Sequence, residues 1–359
     1  MEIYLPTHSA TISVRPTLTI AIPTFNRAGF LSHTLERIQT QRSAIENGKI
    51  ELLVCDNHSD DSTQDVLRAF QALDPSIRIT RHDTNIGPDR NIAACFMLAR
   101  GRYVWILGDD DFPVDGLLAR LIPLIEECDY GLVYLKPYGY DIDSFAEHPI
   151  GLGGAHEYTS LAAFLSRVGA HLTFISSILV YKDLVAEHDF FACETNNLLQ
   201  LEIYLAAAAR STKYLYMSRY SVACKRNNSG GYDFSEVFVT RLFAVIESHV
   251  RQGMPETAAR ALRNAMMLRF YPQHVLFMRL RRDEKLQASY LKFLQNFKRS
   301  PLFWVIVAPI FNLPRWPAIA WGGAWTLVGR GLGGDLMRGI QFAYHGLKRV
   351  LLVRLHANP

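Results

Sequence analysis

"RYVWILGDDDF", residues 102–112, runs six residues of strand character directly into three adjacent aspartates, Asp109, Asp110 and Asp111. Neighbouring carboxylates repel one another, and like charge this close raises at least one pKa. A fold keeps such a triplet when water solvates it, when it caps a helix, or when a cation sits among the oxygens.

Working outward, apolar runs of strand length alternate with segments of helical spacing. "LTIAIP" (18–23), "IELLVCD" (50–56), "IRIT" (77–80), "RYVWIL" (102–107) and "YGLVYL" (130–135) read as strands. Between them, 30–41, 62–73, 89–101 and 114–128 read as helices, the third stopped by Gly101. This alternation predicts an α/β fold, a mostly parallel sheet with helices on both faces. Ligands of such sheets bind beyond the carboxyl ends of the strands. Three polar clusters fall at such ends: "PTFNR" (23–27), "DNHSDDST" (56–63) and "GDDDF" (108–112). Residues 140–235 are less regular, with a helix expected at 198–209, and the chain beyond 236 reads as all helical.

Helix capping before "FPVDGLLARL" would use one or two of the three carboxylates. An EF-hand is excluded, because Pro113 and Val114 stand where an oxygen ligand and a glycine are required. The remaining reading is a partly open site for Mg²⁺ or Mn²⁺, completed by substrate phosphates. Asp56, ending a second strand, suits recognition of a base or ribose edge, while Asp60 and Asp61 suit capping of the next helix. Arg90, at the start of the 89–101 helix, can meet a diphosphate through its planar fork of donors.

The 359 residues, 49% hydrophobic and 20% charged, suffice for two compact domains or one with an appendage. Five scattered cysteines without a C-x-x-C argue against both a disulfide framework and a zinc site. The first residues show no basic stretch followed by an apolar one, so no secretory signal is expected. The net charge of +4 hides an asymmetry: from residue 241 onward there are 18 Lys and Arg against 5 Asp and Glu. An acidic body with a basic tail implies different partners at the two ends.

"LTIAIPTFNR", "LLVCDNHSDDST", "NIGPDRNIA" and "ARGRYVWILGDDD", in this order and spacing over roughly residues 16–135, resemble the nucleotide-binding half of family-2 glycosyltransferases with the GT-A (Rossmann-like) fold. Within that family the chain is most similar to abequosyltransferase-like enzymes of bacterial surface polysaccharide assembly. The resemblance implies a domain over 1–235, with 16–135 as the nucleotide-sugar half and 136–235 as the acceptor half. It implies that Pro23, Thr24, Phe25 and Arg27 line the nucleoside pocket, that Asp56 holds the base, and that Arg90 lies near the pyrophosphate or sugar. Asp110 falls where the Mn²⁺ or Mg²⁺ ligand is expected. Asp109 would face the ribose or sugar, and Asp111 the donor sugar or a cap; Asp109 with Asp111, or Asp111 beside Asp110, also reads as a metal pair. Gly108 stands where the family usually has an acid. Lys225 and Arg226, in the loop "KRNNSGGY", would close over the diphosphate.

Transfer to a hydroxyl with inversion needs a carboxylate base. The family's acidic pair falls on Leu199 and Gln200, which leaves Glu202, then Glu194, as candidates. The expected activity is metal-dependent transfer of a hexosyl or deoxyhexosyl group from a nucleotide-diphosphate sugar to a lipid-linked or oligosaccharide acceptor, such as a polyprenyl-diphosphate-linked glycan of O-antigen or lipopolysaccharide assembly. Two alternatives stand beside it. A sugar-nucleotidyltransferase needs a Gly-rich basic loop that "PTFNRAGF" lacks, and a non-catalytic nucleotide-binding membrane scaffold fits Gly108 and Gln200.

Residues 236–359 form the basic, aromatic-rich tail. "PLFWVIVAPIFNLPRWPAIAWGGAWTLVG" (301–329) is apolar but broken by Pro309, Pro314, Arg315 and Pro317, so an interfacial or broken segment is expected rather than a clean span. Residues 336–355 read as an apolar-and-basic helix lying on an anionic membrane surface. The expected location is the cytoplasmic face of the bacterial inner membrane, peripheral or monotopic, with contact through 301–356. Core packing or a homo-oligomer interface is the other use of such a tail, and nucleic acid is the poorer partner.

Overall fold

A computed structural model describes residues 15–149, 153–226, 231 and 233–334 of this chain. The expected alternation forms. β1 (Leu18–Thr24), α1 (Ala28–Arg42), β2 (Ile50–Asp56), α2 (Thr63–Leu73), β3 (Arg78–Arg81), α3 (Pro88–Leu98) and β4 (Tyr103–Ile106) follow in order. Next come β5 (Asp111–Pro113), α4 (Leu117–Glu127), β6 (Leu132–Tyr140), β7 (Ala155–Tyr158), α5 (Leu161–Val168), β8 (Ile178–Tyr181), α6 (Leu199–Ala208) and β9 (Tyr214–Lys225). Six helices close the described chain: α7 (Leu242–Arg251), α8 (Glu256–Arg269), α9 (Tyr271–Arg281), α10 (Leu286–Phe297), α11 (Ala308–Asn312) and α12 (Arg315–Gly333).

The strands join in the order β3-β2-β1-β4-β8-β6-β9-β5, with β7 also on β9. β3, β2, β1 and β4 are parallel, and β6 and β9 are parallel to each other. β8 lies antiparallel between β4 and β6, so six strands run one way and their carboxyl ends share one rim. β5 and β7 run against β9.

Period-two burial assigns the two faces. Leu18, Ile20 and Ile22 of β1 pack with Leu31, Leu35 and Ile38 of α1 and with Leu117 and Leu121 of α4. Ala21 of β1 faces the other side, in a core with Phe96 of α3, Phe164 of α5 and Tyr204 of α6. That second core continues without a break into Phe243 of α7, Met266 of α8, Tyr271 of α9 and Phe303. The helical region is therefore packed into the same apolar mass as the sheet.

Two boundaries differ from expectation. α3 ends at Leu98, with Ala99 already extended, and Gly101 serves another purpose. A Cβ on Gly101 would lie 2.5 Å from the Thr19 backbone nitrogen, so only glycine lets the chain pass β1 this closely. α4 starts three residues late because the pairing of β5, where Asp111 stands opposite Cys224, carries on into Val114, whose N–H donates to the Ser221 carbonyl at 3.0 Å. Gly116, at φ 71°, turns the chain into that helix with no side-chain cap. The capping use of the triplet is thus excluded.

The irregular region expected at 140–235 holds the twelve-residue strand β9. The broken segment at 301–329 is a π-helical turn at Phe303–Val307, then α11, an extended Leu313 and α12. Among the described residues, no helix is long and apolar enough to cross a membrane. The helix expected at 336–355, most of the 225–232 loop and the first 14 residues lie outside the described residues.

His274 of α9 is stacked on Phe234, with centroids 3.2 Å apart. Burial pushes its pKa down to about 4. The unfolded imidazole takes its proton near pH 6.5, whereas the folded one resists until about pH 4, so stability falls as pH falls through this window. Chemical denaturation at pH 7 and pH 4 is expected to show wild type losing about 3 kcal/mol more than His274→Phe. Equal losses would refute that role.

Candidate active site

The carboxyl ends of β1, β2 and β4 meet at the shared rim, and the triplet hangs from β4 among side chains of other elements. Asp109 is 6% exposed. Its Oδ2 accepts from Thr24 Oγ1 at 2.8 Å, its Oδ1 from Arg27 Nη1 at 3.1 Å, and its carbonyl from Thr34 Oγ1 of α1 at 2.9 Å. Arg27 Nη1 also stands 3.2 Å from Asp110 Oδ2. Burial pushes the Asp109 pKa up to about 6, helped by the Asp110 charge, while Thr24 and Arg27 hold it down.

Asp111 is buried in β5. Ser176 Oγ donates to its Oδ2 at 2.5 Å and the Cys224 thiol donates to it as well. Burial first, then the Asp110 charge, raises its pKa well above the ordinary value. Ser176 is itself placed by β4: Trp105 Nε1 donates to its carbonyl at 2.9 Å, and the Gly108 N–H donates to its hydroxyl at 2.9 Å. Burial and the same carboxylates push Tyr140 up to about 12, which places that phenol within the triplet's field.

Gly108 explains its own departure from the family pattern. A Cβ there would meet Asp111 Oδ2 at 3.0 Å, Asp110 Oδ1 at 3.2 Å and Ser176 Oγ at 3.4 Å. Three oxygens thus crowd the place that a side chain at position 108 would take. Such a set of hard donors fits Mg²⁺ or Mn²⁺. Both Asp109 carboxylate oxygens are engaged by Arg27 and Thr24, and the carboxylate oxygens nearest that position are Asp110 Oδ1 and Asp111 Oδ2. Among the described residues, no cluster of three or more His, Cys, Asp or Glu forms a complete metal site. Two protein carboxylates with the remainder supplied by a bound diphosphate suit a cation that keeps an open shell.

Asp56 is fully buried at the end of β2. It accepts from the Ser59 N–H at 3.0 Å, from Ser59 Oγ at 2.5 Å and from Gln64, and it stands 3.5 Å from Arg81 Nε. Its carboxylate therefore shapes the 57–64 loop. That loop is tied to the end of β1, because Asn26 Oδ1 accepts from the Asp60 N–H and Asp61 accepts from the Ala28 N–H. Asp61 also accepts from the Thr63 N–H at the start of α2. Asn57 binds the 85–87 turn, so α3 starts at the same rim. Arg90 is exposed there, while Asp89 beside it accepts from the Asn197 N–H before α6. Phe25 is exposed and Pro23 half-buried at the end of β1.

The second-half residues are less convergent. Lys225 Nζ reaches the Asp141 carbonyl at 2.5 Å, and Arg226 Nη1 lies 3.0 Å from Asp141 Oδ2. Both are thus engaged beside β6. Gln200 donates to the Thr173 carbonyl at 2.9 Å and so steadies the segment that carries Ser176. Glu202 points the other way, to His249 Nε2 of α7 at 2.7 Å. Glu194 is exposed in the stretch before α6. Neither glutamate is among the described residues lining the cavity of about 700 Å³ that adjoins the triplet at Cys224, Thr173 and Phe174.

Sequence reasoning overlooked Ser176, Cys224, Ser59, Gln64 and Arg81. Ser59 lies inside the quoted 56–63 cluster but was given no role there, and the others stand outside the quoted motifs; Ser176 lies 65 positions from the aspartate it serves.

Comparison with known proteins agrees with this arrangement. Residues 19–177 match the Glycosyl transferase family 2 model. Abequosyltransferase RfbV of Salmonella typhimurium is 28% identical over 225 residues, 59% of this chain and 67% of that protein. The GalNAc(5)-diNAcBac-PP-undecaprenol beta-1,3-glucosyltransferase of Campylobacter jejuni is 31% identical over 113 residues, spanning 31% of this chain and 35% of that one. The crystal structure of S. aureus TarS 1-349 in complex with UDP-GlcNAc superposes with a TM-score of 0.60 over 90% of this chain and 92% of that one. At 14% identity this likeness speaks for the fold alone, which is the GT-A fold. An acid-lined rim on that fold and a family match along its strands agree: residues 19–177 carry a glycosyltransferase family 2 domain.

Proposed function

We propose that this glycosyltransferase moves a hexosyl or deoxyhexosyl group from a nucleotide-diphosphate sugar to a hydroxyl of a lipid-linked or oligosaccharide acceptor in bacterial surface polysaccharide assembly. The observation that carries the reading is the convergence of Asp110, Asp111 and Ser176 oxygens at Gly108, beside an Asp109 clasped by Thr24 and Arg27. Asp110 and Asp111 would hold Mn²⁺ or Mg²⁺, which when bound neutralises the charge of the departing diphosphate. Thr24, Phe25 and Arg27 form the wall against which the nucleoside lies. Phe25 offers an exposed ring for stacking, and Arg27 fixes the orientation of two of the three carboxylates.

For inversion, a single displacement, the acceptor hydroxyl must lose its proton as the new bond forms. Of the two glutamates, Glu202 is committed to His249 on the helical side. Glu194 enters α6 from the rim side, three residues before Asn197 meets Asp89 of α3. This favours Glu194 as the base.

The tail supports a membrane-bound acceptor on the cytoplasmic face. Trp304, Trp316 and Trp321 are exposed, with Trp316 at 73%, and Val328 and Leu332 continue the exposed side of α12. Tryptophans beside basic residues suit the headgroup layer.

Three measurements test these points. Thermal shifts with a panel of nucleoside diphosphates and nucleotide sugars are expected to show a donor-specific, Mn²⁺-dependent rise that Asp110→Ala abolishes. A shift that persists in the variant removes Asp110 from the cation site. In steady-state assays, Glu194→Gln is expected to lower kcat by ~10²–10⁴-fold with donor KM unchanged, and Glu202→Gln to leave kcat within a few-fold. The reverse pattern moves the base to Glu202. Co-sedimentation should find the chain on phosphatidylglycerol vesicles but not phosphatidylcholine ones, and less of Trp304→Ala/Trp316→Ala; indifference to lipid charge and to both tryptophans would count against attachment.

A further inference from the structure

On the sheet face covered by α1 and α4 lies a second cavity, of about 370 Å³, closed by β9 and the 144–149 turn. Three arginines line it, Arg37 from α1, Arg120 from α4 and Arg219 from β9, against a single acid, Asp115. Asp115 Oδ1 accepts from Arg37 Nη2 at 2.6 Å, so that charge is answered. The other two are not. Among the described residues the Arg120 side chain makes one hydrogen bond, from Nη1 to the Asp115 carbonyl at 3.5 Å, which is long for such a bond. The exposed Arg219 guanidinium makes none, and no carboxylate pairs with either arginine.

This gathering costs the fold free energy. Arg37 Nε and Arg120 Nε are sealed from solvent and meet no acceptor among the described residues. A buried donor without a partner is destabilising, more so on a charged group. Burial, then the Arg219 charge, draws the Arg120 pKa down, so the two guanidiniums feel each other's repulsion. Arg120 also stands in the first turn of α4, which holds no acid, at the positive end of the helix dipole where a cation is disfavoured. Gly116 makes the placement sterically possible, because a Cβ there would sit 2.9 Å from Arg120 Nη1.

The walls are preformed. The Arg37 guanidinium lies 5.3 Å from the Phe112 ring centroid and 4.7 Å from that of Phe145, which is exposed at the cavity's edge. His148 meets the Tyr138 ring edge-on at 5.0 Å. The turn carrying Phe145 and His148 is ordered from within, because Glu147 accepts from the Asp141 N–H at 3.0 Å and from the Ile142 N–H at 2.8 Å. None of the three triplet aspartates lines this cavity. It borders their elements all the same: Arg37 follows Thr34 by one turn of α1, and Phe112 follows Asp111 in β5.

We propose that this cavity is a second anion site, which binds the phosphate group of a soluble phosphate ester through Arg120 and Arg219, with the ester's ring against Phe145. Arginine suits this task because its planar donors grip two phosphate oxygens at once. A dianion between the two guanidiniums turns their repulsion into two attractions, and the α4 dipole favours the same sign of charge. The C-terminal helices pack on the opposite face of the sheet, away from this cavity, so the phosphate belongs to a soluble ester rather than a lipid headgroup. The site shares no lining residue with the carboxylate cluster and does not depend on the donor reading.

The test uses the full chain in EDTA, with phenyl phosphate, phenol and dihexanoyl phosphatidic acid as probes in titration calorimetry. Wild type and Asp110→Ala are expected to bind phenyl phosphate alike, and phenol at least about tenfold more weakly, since each charge-assisted contact is worth about tenfold. Arg219→Gln and Arg120→Gln should each weaken phenyl phosphate about tenfold, with Arg219→Lys recovering part of the loss. Without ligand, the thermal midpoint of Arg219→Gln is expected at or above wild type, because the repulsion on Arg120 is relieved. A lowered midpoint would make Arg219 a support of the fold and overturn its assignment. If Arg120→Gln does not fold, the exposed Arg219 decides the question. Affinity unchanged in Arg219→Gln, or lost in Asp110→Ala instead, would overturn the proposal, and tighter binding of the phosphatidic acid than of phenyl phosphate would overturn the soluble source.

Discussion

Everything at the rim depends on one electrostatic constraint: three adjacent carboxylates must be seated at the end of a buried strand. Solvation does not resolve it, because Asp109 and Asp111 are nearly excluded from water. The fold divides the charge instead. Asp109 is answered by Arg27 and Thr24 from the end of β1, and Asp111 by Ser176 and Cys224 from the second half of the domain. Asp110 is left between them, facing the open side with Arg27. Each answer fixes the distance between two elements, so the triplet acts as the joint that holds β1, α1, β5, β9 and the 173–176 segment in register.

The same constraint accounts for the departure at Gly108. An acid in that position would add a fourth carboxylate and a Cβ inside the oxygen cluster. Ser176 takes up the space and supplies a neutral oxygen. Burial is costly for isolated charges, and it also strengthens each of these pairings, because electrostatic attraction is stronger in a low-dielectric site.

The C-terminal helices contribute to this arrangement as well as to the surface. Their apolar faces join the core beneath α3, α5 and α6, and their basic residues roof the cavity that runs away from the triplet. The charge asymmetry along the chain thus becomes a spatial one. Carboxylates gather at the rim after β4, and arginines from α5, α8 and α12 line the cavity beside it. The exposed tryptophans of α12 lie on the outside of the same helices.

Local pattern was enough for the first half of the molecule. Strands at β1, β2 and β4 were legible from continuous apolar runs ending in polar clusters, and their parallel order followed from the helices between them. The second half was not, because β5, β8 and β9 owe their state to partners. Asp111–Pro113 is a strand only because β9 lies beside it, and Ile178–Tyr181 only because β4 and β6 flank it. Asp56 was legible as a rim residue, but not the partners that engage it, nor those that hold Lys225 and Arg226 beside β6.

By itself the sequence determined the α/β class, the rim on which polar side chains collect, and the residue types that could meet a cation and a nucleotide. These follow from periodicity and from chemistry carried by neighbouring residues. Only the tertiary structure decided which aspartate faces outward, that Ser176 stands at Gly108, that Glu202 turns to His249, and that arginines from α5, α8 and α12 share one cavity. Those are meetings between residues far apart in the chain, and no local signal encodes them, because their energy exists only once the intervening elements have packed.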